Sequence, residues 1–106
     1  MKTMINKIST YKKCLHEERF FDAHEVLEEI WFTRRFEESN EVKLLKGFIN
    51  AAVSFELLKR GREKPAKNVW LIYLKYRQLL FKTKTPYLND YYQLSRYLDL
   101  FYKKLH

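Results

Sequence analysis

His24 and Glu28 stand four residues apart in the run Phe20-Phe21-Asp22-Ala23-His24-Glu25-Val26-Leu27-Glu28-Glu29-Ile30-Trp31. On a helix that spacing lets their side chains meet. An imidazole and a carboxylate held together can share one divalent metal, with Glu25 nearby as a base. The pattern departs from the helical zinc-protease motif in having Glu28 where a second histidine belongs. A metal also needs a third or fourth ligand. The other histidines are His16 and His106, and the only further candidates are Glu18, Asn50 and Glu56, which nothing in the spacing joins to His24. The competing reading is structural. A buried His24 bonded to Glu28, Glu56 or a backbone carbonyl would lock its helix onto a neighbour, because an unpaired polar group in a core is costly. This structural reading is the one the residues favour, with His24 and Glu28 kept as metal candidates. Di-iron bundles use two Glu-x-x-His motifs, and the chain has none. Phosphate loops, dinucleotide glycines and nucleophile elbows are also missing from the sequence.

The element that must position these groups is an amphipathic helix. With Phe20 at zero and about 100° per residue, Ala23, Leu27, Ile30 and Trp31 share one side. Asp22, Glu25 and Glu29 fall opposite, toward water. His24 and Glu28 fall inside or beside the apolar arc, at roughly 40° and 80°. Phe20 and Trp31 read as core rather than as a ligand cage. The helix should end near Arg34-Arg35, where cations complement its dipole.

The rest of the chain also reads as helix. Met4, Ile8, Tyr11 and Leu15 form one stripe, so a first helix should run from Thr3 to His16. His16-Glu17-Glu18-Arg19 is then a tight connection. Ser39 or Asn40 can cap a third helix over Glu41–Arg60, stopped by Gly61. Its apolar residues nearly surround it, which places it in the middle of a bundle. Gly47, Ala51, Ala52 and Ser54 would let a neighbour come close. Pro65 suits the first turn of a fourth helix ending near Lys82. That helix carries two stripes: Val69, Ile72, Tyr73, Tyr76, Leu79 and Leu80 on one, Trp70, Leu74 and Phe81 on the other. The second stripe would serve a fifth helix or a second subunit. Asn89 or Asp90 can cap the fifth helix, with Tyr91, Leu94, Leu98, Phe101 and Leu105 at helical spacing. The sequence shows no strict internal repeat.

Size and composition agree with this. A chain of 106 residues that is 46% hydrophobic is one all-α domain by expectation, residues 1–106, with about five helices packed as antiparallel hairpins. Two glycines and two prolines are too few for many hairpin turns. Cys14 is the lone cysteine, so an internal disulfide is excluded and the thiol reads as inert. No run of about 18 apolar residues exists to span a membrane. The first seven residues lack the apolar core of a signal peptide, so a cytoplasmic location is expected.

The net charge of +8 is unevenly placed. Residues 1–58 hold nine Lys/Arg against ten Asp/Glu, while residues 59–84 hold nine against Glu63 alone. Lys59, Arg60, Arg62, Lys64 and Lys67 are therefore candidates for a polyanion, including nucleic acid. A solvated basic face is the simpler reading.

Residues 19–31 closely resemble the signature of the domain of unknown function 309 family of small helical bacterial and archaeal proteins. There an aromatic pair precedes an acidic residue, then Ala-His-Glu, a hydrophobic-Glu step and a Trp. Phe20, Phe21, Asp22, Ala23, His24, Glu25, Leu27, Glu28 and Trp31 fit. A second family element is matched by Gly47, Ile49, Ala52, Gly61 and Ala66. Asn50 replaces the usual Gln, Leu57 the expected second His, Arg62 the Asn, and Pro65 the second Gly. The resemblance covers about residues 4–80 and implies an all-helical bundle without implying an activity.

Three functional expectations follow. The first is a non-enzymatic module that binds a partner or self-associates through helix faces. The second is a metal- or ligand-binding protein or hydrolase using His24, Glu25 and Glu28, with Trp31, Asn50 and Glu56 as neighbours. The third is polyanion binding through residues 59–84.

Overall fold

The computed structural model describes residues 3–105; Met1, Lys2 and His106 lie outside them. Five α-helices follow in order: α1 Thr3–His16, α2 Phe20–Arg34, α3 Asn40–Lys59, α4 Glu63–Arg77 and α5 Leu88–Leu105. There is no strand among the described residues. One contiguous core draws on every helix, from Met4 and Tyr11 through Leu27, Phe48 and Tyr73 to Leu98.

The connections α1–α2 and α3–α4 are the same device used twice. At the first, the Glu18 amide donates to the Leu15 carbonyl (3.0 Å) and the Arg19 amide to the Cys14 carbonyl (2.8 Å). At the second, Gly61 donates to Leu58 (3.0 Å) and Arg62 to Leu57 (2.9 Å). Both are the paired bonds that close a helix through one left-handed residue. Those residues are Glu18 at φ 60° and Gly61 at φ 75°. Arg19 (φ −93°, ψ 69°) and Arg62 (φ −99°, ψ 74°) then open the next helix in nearly one conformation. The chain thus holds two like hairpins.

α3 lies between α2 and α4 and contributes the most buried side chains, including Leu44, Leu45, Phe48, Ala51, Ala52 and Phe55. Its small residues act as expected. A methyl on Gly47 would lie 2.8 Å from Cβ of Tyr76, so that glycine sets the α3–α4 spacing. Ser54 donates to the Ala66 carbonyl at 2.7 Å, satisfying its buried hydroxyl. Ser39 is the cap of α3, accepting from the Val42 amide.

α5 runs along the inner face of this array in the same direction as α3. Tyr91, near its start, bonds Glu41 at the start of α3, and Phe101, near its end, packs on Phe55 (5.0 Å between ring centroids). Trp70 stacks on Tyr102 at 4.1 Å and 8°. Trp70, on the second stripe of α4, therefore packs on the fifth helix.

Two boundaries and two side chains differ from expectation. α4 passes into a 3-10 turn over Gln78–Phe81 rather than continuing to Lys82. The Thr83 hydroxyl and the Lys82 amide both donate to the Leu79 carbonyl, which tightens the chain early. α5 begins at Leu88, ahead of Asn89 and Asp90, because Thr85 receives the amides of Tyr87 and Leu88. Ile72 is exposed (42%), although its stripe was expected to pack inside, and Phe81, on the stripe expected to serve a fifth helix or a second subunit, is 79% exposed and meets α5 only edge-on at Tyr92.

Candidate functional site

α2 carries the motif on a helix whose buried line is Phe20, Ala23 and Leu27. His24 is one residue round from Ala23 and so reaches the rim of that line. Its Nε2 lies 3.1 Å from a Glu28 oxygen on the same helix. The His24 side chain is 21% exposed and that of Glu28 41%. The expectation of a sealed pair bridging two helices is thus corrected. The wheel angle gives the side a residue faces, not the depth at which its neighbour covers it, and His24 lies beside an open groove between α2 and α3.

The groove beside His24 is lined from α2 by Phe20, Phe21 and His24, and from α3 by Val53, Glu56 and Leu57. Arg60 and Arg62, from the turn into α4, complete the lining of this half-open recess, whose volume is about 310 Å³. The Phe21 and His24 rings lie 5.6 Å apart, tilted at 57°. Glu56 accepts a 2.6 Å hydrogen bond from Arg60 Nε, so this carboxylate is paired with the residue that ends its helix and not with His24. Leu57, which stands where the family resemblance leads one to expect a histidine, is on the groove's apolar floor.

The remaining motif residues are not gathered here. Glu25 is exposed on a different side of α2 and lines a shallow hollow with Glu28, Glu29 and Phe32. Glu29 is ion-paired with Lys7 of α1. Trp31 is half-buried against the core with the Lys46 ammonium 4.3 Å from its ring centre, a cation–π contact. Asn50 is half-buried on α3. Among the described residues no three His, Cys, Asp or Glu side chains are placed to hold a metal ion, so His24 and Glu28 lack a third ligand. His106 lies outside the described residues.

The basic candidates divide. Lys59 donates to the Glu18 carbonyl at 3.0 Å and Arg60 holds Glu56, so both are engaged within the fold. Arg62, Lys64 and Lys67 are exposed, and among the described residues no carboxylate pairs with them.

Sequence reasoning missed the most connected polar group. Glu41 accepts from Tyr91 (2.7 Å) and Thr85 (2.8 Å) with one oxygen and from Arg34 (3.0 Å) with the other. Its side chain is 12% exposed. Nothing in the sequence signals this, because two of the three partners lie 44 and 50 residues away.

Fold and motif together define a small all-helical protein built on paired helical hairpins, with its marked residues on the second helix. The family model described as "Domain of unknown function (DUF309)" matches residues 8–69, more than half the chain, and the protein belongs to that family. Neither the curated proteins nor the solved structures contain a significant match. Among the described residues no helix is long and apolar enough to cross a membrane.

Proposed function

We propose that the protein is a non-enzymatic binding module that takes its partner in the α2–α3 groove. The observation that carries this reading is the groove's make-up. Four apolar side chains meet His24, Glu56 and two arginines in one half-open recess, the mixture of apolar wall and few polar groups typical of ligand sites. A hydrolytic reading is less well supported. Glu25 faces a separate hollow, so His24 and that carboxylate do not converge on one reacting atom. A buried lone cysteine fits a reducing, cytoplasmic setting.

The test is an amide NMR screen of the full chain against a library of small organic compounds. Binders should shift the amides of Phe20–His24 and Val53–Arg62. Val53→Trp should fill the recess and abolish those shifts while the fold persists by circular dichroism. Binders that map elsewhere and ignore Val53→Trp would overturn the reading.

The exposed lysines of α4 support a second reading. Lys64, Lys67 and Lys75 share one face of the helix with Leu71 at 53% exposure. Such a face would hold a polyanion by charge, in a salt-dependent way. Retention on a heparin column should fall when Lys64, Lys67 and Lys75 are neutralised, and unchanged retention argues against it.

A further inference from the structure

The groove's charge layout bears on what enters it. Resting on the groove reading above, we propose that the α2–α3 groove selects a small organic carboxylate with an apolar body. Phe20, Phe21, Val53 and Leu57 supply the apolar wall, and Arg60 and Arg62 join them in the lining, flanking Gly61. Arg60 commits its Nε to Glu56, which leaves the donors of its two terminal nitrogens unspent. The Arg62 side chain has no ion-pair or hydrogen-bond partner among the described residues. Two guanidinium groups thus line the recess with one carboxylate, which leaves it a surplus positive charge beside its apolar wall.

Guanidinium groups present donors in a planar fork that matches a carboxylate. A neutral ligand of the same shape would fill the apolar wall and leave Arg62 to water. A doubly charged phosphate would meet Glu56 in the same recess, so a single negative charge fits better. The volume of about 310 Å³ is at the small end for ligand sites, which suits one ring or short chain rather than a folded partner.

The experiment is an amide NMR titration of the full chain with 4-phenylbutyrate, and with 4-phenylbutan-1-ol, which lacks only the charge. A third arm uses an acetylated peptide ending in phenylalanine with a free carboxylate. Tighter binding by that arm marks a chain terminus as the source, and tighter binding by phenylbutyrate marks a free acid. The better acid should bind about tenfold or more tightly than the alcohol, as expected for a charge-assisted hydrogen bond. The double variant Arg60→Gln, Arg62→Gln should remove that advantage and leave the alcohol unaffected. Acid and alcohol binding equally in the groove, insensitive to the arginines, would sink the carboxylate inference and leave the groove reading standing. Saturable binding by neither acid overturns the inference too, while the library screen still judges the groove. Shifts that map outside the groove for every probe overturn both.

Discussion

Glu41 receives hydrogen bonds from α2, from α5 and from the turn that precedes α5. Burial would push its carboxyl up, but the bonds from Tyr91, Thr85 and Arg34 outweigh burial and hold it below its ordinary value of 4.5. Burial, then the bond to Glu41, raises the Tyr91 hydroxyl in turn. A carboxyl with a depressed folded-state value stabilises the fold wherever the unfolded chain is ionised too. That contribution is complete above about pH 5.5 and is lost as pH falls through 4.5 and below. Glu41→Gln should therefore cost about 1–3 kcal/mol at neutral pH. It should also flatten the acid limb of the stability profile measured by urea unfolding; a limb as steep as the parent's would refute the assignment. His24 behaves differently, since its partner is on its own helix at the rim. His24→Ala should change stability by less than about 1 kcal/mol, and a loss several times larger would restore the sealed-pair reading. Periodicity located His24 and Glu28 beside the apolar arc and brought them together. It had no means to find Glu41, whose first-turn position looks ordinary until the fold supplies Thr85 and Tyr91.

The hairpin connection is a matter of elements. Glu18 and Gly61 occupy one left-handed position in two copies of the same turn. A side chain there costs roughly 1–2 kcal/mol that glycine avoids, partly offset by glycine's greater freedom when unfolded. Glu18→Gly should therefore stabilise the protein by about 0.5–1 kcal/mol, read as a rise of a few degrees in the melting temperature. A fall would show that the Glu18 side chain has a role of its own. The first three helices were legible almost to the residue, the first two because each shows an apolar stripe and the third because Ser39 and Gly61 mark its ends. The likeness of the two hairpins was not legible. It lies in backbone bonds, while equivalent positions carry unlike side chains: Phe20 against Glu63, Leu27 against Trp70. The end of α4 was misjudged for a related reason. A 3-10 turn keeps the apolar spacing that a longer helix would show.

At the level of the whole molecule, α5 completes a core that the two hairpins leave open on one side. Phe101 packs on Phe20 at 5.9 Å and on Phe55 at 5.0 Å, joining three helices through one ring. Phe101→Ala should cost about 2–3 kcal/mol, somewhat below a fully sealed phenylalanine. Loss of that ring should lower one cooperative transition. Tryptophan fluorescence and circular dichroism should therefore still report a single midpoint; two separated midpoints would mean that α5 unfolds independently of the hairpins.

This arrangement also has a consequence for biosynthesis. The helix that covers Tyr11, Phe48 and Phe55 is translated after the four that carry or flank them. At about 5–20 residues per second, the 18 residues of α5 take roughly one to four seconds to make. Until α5 follows, Phe48 and Phe55 have neither Tyr91 nor Phe101 to pack against, so the core can close only once that helix has left the ribosome.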